Sequence, residues 1–190
     1  MNIDIISITD ITNNNYSTED LEKYKINKLM IDCYYGKINY NNINDYKDYM
    51  LETDIWGNTS LMYLCEYAYK YDSINIIQCI KILKVGNIRK MDNNNITALM
   101  KLKCNDNILL DCIYNLSEEI GLYKNKICLL YILAIKYKPS IVMEKVIDRL
   151  RDELYYINDD GFNSLTINVL IFYDHKIDGK KYSKILLHNK

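Results

Sequence analysis

The sequence predicts an all-α fold in which a pair of antiparallel helices recurs along the chain. Three observations carry that expectation. The phrase "DIWGNTSLM" (Asp54 to Met62) returns as "DNNNITALM" (Asp92 to Met100). Leu-Met pairs recur at Leu29-Met30, Leu61-Met62 and Leu99-Met100, the second interval somewhat longer than the first. Between these anchors apolar residues follow helical spacing, and no stretch reads as a long strand.

Taken in order, residues 1–20 form a polar leader that ends in "ITNNNYSTED". The first helix lies in "INKLMIDCYYGKI", with Gly36 placed to end it. After Thr59, "SLMYLCEYAYKY" sets Leu61, Leu64, Cys65 and Ala68 on one helical face. A break at Asp72-Ser73 precedes a second apolar helix, "INIIQCIKIL". Thr97 starts another short helix, "CNDN" breaks it, and "ILLDCIYNL" is its partner. A diverged unit follows, with "NKICLLYILAIKY" as its first helix; Pro139, the only proline, suits the first turn of the next. In that helix, "SIVMEKVIDRL", Ile141, Val142, Val146, Ile147 and Leu150 share a face. A third copy of the phrase runs from Asn158 to Leu165, and its Gly161 stands two periods beyond Asn95, which leaves room for the diverged unit between them. Helix pairs are therefore expected over 59–83 and 126–154, in a repeat domain covering 21–175, with a C-terminal cap or tail over 176–190.

The joints between helix pairs hold the repeated phrase because the same backbone chemistry recurs there. Gly57 tolerates positive φ, and Asn95 does so better than most residues. Thr59 and Thr97 are placed to accept from backbone N–H groups and start the following helix. The Leu that follows each Thr by two positions begins the buried face.

Bulk composition bounds the function. Hydrophobic residues make up 49% and charged residues 26%, a globular balance, and the net charge of −1 gives no reason to expect a nucleic-acid or anionic-membrane partner. The longest apolar run, Ile127 to Ile135, is too short to span a bilayer. The six cysteines include no C-x-x-C pair, and both histidines, His175 and His188, lie near the C-terminus, so small buried thiols are expected rather than a metal site. The six glycines are scattered singly, which leaves no phosphate-binding loop. Asp159-Asp160 and Glu118-Glu119 are adjacent acids that do not face one site, and turn or helix-start roles explain them. No catalytic, cofactor-binding or metal-binding residue is expected.

The joint phrase resembles that of the ankyrin repeat family, which has a period of about 33 residues, a β-turn plus two helices, and the pattern D-x-x-G-x-T-P-L-H-x-A-A. Asp54, Gly57, Thr59 and Leu61 match it residue for residue, Asp92, Thr97 and Leu99 match in the next unit, and Gly161 and Leu165 in the last. Cys65 stands where the family prefers a small Ala. The Pro and His of the family pattern are replaced in Ser60-Leu61-Met62 and Ala98-Leu99-Met100, Asn95 takes the Gly position, and Asn163 the Thr position. Divergent arrays of this kind occur in large DNA viruses and protists, in keeping with the abundance of residues that use A/T-rich codons.

The resemblance implies an all-α, ankyrin-like solenoid of about four and a half units, joined by short β-turn or hairpin segments. It implies a non-enzymatic protein–protein interaction module using its hairpin tips and concave first-helix face. The tips would be Ile55 and Trp56, Asn93 and Asn94, and Asp159 and Asp160, with Phe162 beside the last. Trp56 has two readings: an exposed anchor for a partner, or a ring folded back over its own joint. The expected partner is a protein, with no nucleic acid, membrane or cofactor; the chain would act as a cytoplasmic monomer, in the host cytoplasm if viral, as an adaptor. The alternative is a structural or self-associating solenoid with no external client.

Overall fold

A computed structural model of the chain describes residues 17–120 and Lys145. The chain divides at Glu118–Glu119, and nearly all the described residues belong to the first unit. That unit is helical, and among the described residues no strand forms; an isolated bridge pairs Thr53 with Thr59. The helix pair expected over 126–154, the site residues Asp159, Asp160 and Phe162, and the cap over 176–190 lie outside the described residues.

Helix α1 (Thr18–Lys23) begins inside the segment expected as leader. Ser17 and Asp20 close a reciprocal capping box there. Helix α2 (Lys28–Tyr35) is started by Asn27, whose side chain accepts from Met30 N, and ends at Gly36 with φ +72°, as the sequence predicts. Helices α3 (Ser60–Glu66) and α4 (Ser73–Leu83) form the expected pair over 59–83, capped by Thr59 and Asp72. Helix α5 (Ala98–Lys101) is capped by Thr97, and α6 (Asp106–Asn115) follows the polar break.

One expectation is corrected. The second element of the first period is not an α-helix but a 3-10 segment, Ile43–Tyr49, kinked at Tyr46. Asn39 and Asn42 bond each other's backbone N–H groups ahead of it, which offers the chain a turn in place of a helix. Within the segment only Ile43 is buried, so no apolar face exists to draw it into a full helix.

The first helices stack in a row, α3 packing between α2 and α5, while α4 packs on α3 and on α6. Leu29, Leu61 and Leu99, the leucines that open each repeated face, are all fully buried, as are Leu64, Cys65 and Ala68. Truncating a buried leucine of this kind to Ala generally costs about 2–5 kcal/mol.

Cys33, Cys65, Cys79, Cys104 and Cys112 are buried thiols outside any disulfide. Burial pushes the Cys33 thiol up, and the Cys79 thiol up to about 12. The Cys112 thiol is raised first by its hydrogen bond with Cys104 and then by burial. These five thiols are expected to resist a thiol reagent at about pH 8 in the folded chain and to react together on unfolding. Because thiols of the unfolded chain ionise near 9.0, the contribution of the Cys79 thiol to stability is complete below that pH and is lost as pH rises toward 12. Denaturation midpoints measured across that window check the sign; rapid labelling of several thiols in the native protein would contradict the buried packing.

Candidate functional site

The repeated joint is built on a buried aspartate. Asp54 Oδ1 accepts from the backbone N–H groups of Trp56 (2.9 Å) and Asn58 (2.8 Å). Its Oδ2 accepts from Asn58 Nδ2 (2.8 Å) and from the Tyr63 hydroxyl (2.6 Å). In the next joint Asp92 Oδ1 accepts from Asn94 N (2.9 Å) and Ile96 N (3.0 Å), the same two places in the phrase. Its Oδ2 meets Lys101 Nζ at 2.9 Å, and Lys101 stands where the first phrase has Tyr63. Burial, then the Asp54 charge, holds the Tyr63 hydroxyl protonated well above its ordinary range, so it remains a donor.

The backbone of the two joints repeats as faithfully. Asp54 N donates to Asn58 O and Asp92 N to Ile96 O, while Gly57 N and Asn95 N donate back to the two aspartate carbonyls. Gly57 has φ +82° and Asn95 +65°, the positive values expected of this phrase. Thr59 Oγ1 then accepts from Met62 N and Thr97 Oγ1 from Met100 N.

An earlier joint, absent from the sequence-based expectations, follows the same plan. Lys25 has φ +54° and donates its N–H to Glu22 O, and Asn27 takes the capping place of the threonines. Counting back from Leu29-Met30 would have found it, since Lys25 and Asn27 precede that pair as Gly57 and Thr59 precede Leu61-Met62.

Successive joints are bonded to one another. Ile55 N donates to Tyr24 O, Asn93 N to Trp56 O, and Asn93 Nδ2 to Ile55 O. Trp56 is half-buried, its ring stacked on Tyr24 with centroids 5.6 Å apart and planes 10° from parallel. Lys23 Nζ lies 5.2 Å from the centre of that Tyr24 ring. Ile55, Asn93 and Asn94 are exposed, so the structure brings three of the expected tip residues to the surface side by side. Beside the earliest joint lies an open cleft of about 820 Å³, with Leu21, Ile26, Ile31 and Leu51 among its lining residues.

Chemically the joints are occupied. Both aspartates commit their oxygens to the backbone and to Tyr63 or Lys101. Among the described residues no group of three His, Cys, Asp or Glu side chains is arranged to hold a metal ion, and no helix is long and apolar enough to cross a membrane. Compared with known proteins, the chain matches no family model, no curated protein and no solved structure.

Proposed function

We propose that the chain is an ankyrin-like array acting as a non-enzymatic protein-interaction module, with the row of joint tips as its contact surface. The observation that carries this reading is the joint-to-joint bonding: the backbone at Tyr24, Ile55-Trp56 and Asn93 is linked directly from one joint to the next. Such a row is held rigid from below by the buried aspartates, so a partner bound there meets a surface that is already ordered. Preorganisation of that kind lowers the ordering cost of association. Ile55 offers an apolar contact, and the exposed Asn94 and Asn93 surround it with polar groups.

The test uses the exposed residues rather than Trp56, whose loss would also strip Tyr24 of its stacking partner. A stoichiometric partner captured by the intact chain and cross-linked near Asn94 is expected to be lost in Ile55→Ser and in Asn94→Ala, at about tenfold or more in affinity for the Ile55 change. A chain that self-assembles, with both variants assembling unchanged, would support instead the alternative of a self-associating solenoid.

A further inference from the structure

Away from the joints, where the first helices end, a second pattern repeats. Lys37, Lys70 and Lys103 recur at one constant interval, and Lys136 continues it outside the described residues. The three described lysines belong to segments that lie against one another. A Cβ placed on Gly36 would be 3.0 Å from Lys70 Cβ, and Tyr69 N donates to Lys103 O at 2.9 Å.

Tyrosine rings interleave with the cations. Lys70 Nζ donates to Tyr34 O and sits 4.2 Å from the Tyr34 ring centre and 4.8 Å from that of Tyr67. Lys37 Nζ lies 4.9 Å over Tyr35. Tyr34 meets Tyr35 and Tyr67 edge-on, at 4.9 and 4.6 Å, and Tyr67 meets Tyr69 at 6.3 Å. Tyr35 and Tyr69 are 43% and 51% exposed, so the band reaches solvent.

Charge is unbalanced along this band. Lys103 is paired with Glu66 at 2.9 Å, but Lys37 and Lys70 have no carboxylate partner among the described residues. Lys70 has a structural duty, satisfying a carbonyl at the end of α2. Lys37 has none of that kind: the residue is exposed, and its ammonium rests on the Tyr35 ring face.

We infer that Lys37, Lys70 and Lys103 form a stripe that holds an extended acidic segment of a partner protein, one carboxylate per unit. The inference rests on the array reading, because the period places one cation on each unit. Packed helices lie about 8–10 Å apart, and three residues of extended chain span about 10 Å, so an acid at every third position keeps register. Tyr35 and Tyr69 supply apolar area between the charges. Nucleic acid fits less well: its affinity grows with the number of phosphates neutralised, commonly about 6–10, whereas the stripe holds three lysines.

The experiment is fluorescence anisotropy of the full chain with a labelled peptide of roughly twelve residues carrying Glu at every third position. Its Lys counterpart and an oligo-dT of similar length are the comparisons. The Glu peptide is expected to bind saturably and more weakly as salt rises. Lys37→Glu and Lys103→Glu should each reduce affinity by about fivefold or more, with Lys37→Gln intermediate and the exposed Val85→Ser unchanged. No binding of the Glu peptide overturns the proposal, as does equal binding of the Lys peptide, tighter binding of the oligonucleotide, or unchanged affinity in the charge variants. Each of those outcomes is independent of whether Ile55 and Asn94 carry a partner, so the stripe and the tips fail separately.

Discussion

Gly57→Val is expected to destabilise the first unit by about 2–5 kcal/mol, two physical costs falling on one atom. At φ +82° a side chain is forced into the left-handed region, at about 1–2 kcal/mol. The added Cβ would also stand 2.9 Å from Asn93 Oδ1 and 3.2 Å from both Asn93 N and Asp92 Cα. Two of those three atoms are backbone of the next joint, which cannot swing aside as a flexible side chain would, and overpacking of this kind adds about 1–3 kcal/mol. The internal control is Asn95, the same place in the next phrase at φ +65°. Asn95→Gly relieves the left-handed strain while loosening the unfolded chain, so its stability should stay within about 1 kcal/mol of the parent. Chemical denaturation of both variants reads the contrast. A Gly57→Val chain within about 1 kcal/mol of the parent would mean that neighbouring joints do not approach as closely as described.

That contrast explains which parts of the fold were legible in the sequence. Gly57, Thr59 and Leu61 are local signals: each residue type is demanded by its own φ, its own cap or its own burial, so the phrase announces the joint wherever it recurs. The helix pair over 59–83 followed from the same register, with Leu61, Leu64 and Ala68 all buried as their spacing requires. The earliest joint was hidden because Lys25 holds positive φ without being Gly or Asn, and Asn27 caps in place of Thr. Bonds between joints were hidden for a different reason. The donors and acceptors at Tyr24, Ile55, Trp56 and Asn93 are mostly backbone atoms, which every residue owns and no residue type advertises. Trp56 shows the consequence: the ring it stacks on, Tyr24, belongs to the preceding joint, and nothing in its own phrase announces it. The lysine period went unread because it stays constant where the interval between Leu-Met pairs lengthens after Met62; the short helix α5 takes up the difference.

Asp54→Ala should cost about 3–5 kcal/mol, part of it from the groups that the loss leaves stranded. The carboxylate, 4% exposed, accepts four hydrogen bonds, two of them from the backbone of its own turn. Without it the Tyr63 hydroxyl is left in a buried position with no acceptor, a penalty of about 1–3 kcal/mol that a partnered hydroxyl does not incur. Adding Tyr63→Phe to Asp54→Ala removes the stranded hydroxyl, so the double variant should recover part of the loss; strict additivity in that cycle would contradict the assignment. Asp92→Ala strands something different, the Lys101 ammonium, whose side chain is 17% exposed. Leaving a largely buried cation without its partner costs about 3–5 kcal/mol, and here Lys101→Met should restore more than Tyr63→Phe does, because a charge is harder to desolvate than a hydroxyl. The two joints thus answer the same substitution through different stranded groups. In both, loss of the aspartate frees the backbone N–H groups beneath the tip. Partner binding read at Ile55 and Asn94 should therefore weaken in Asp54→Ala and Asp92→Ala, although neither aspartate reaches the surface where the partner would lie.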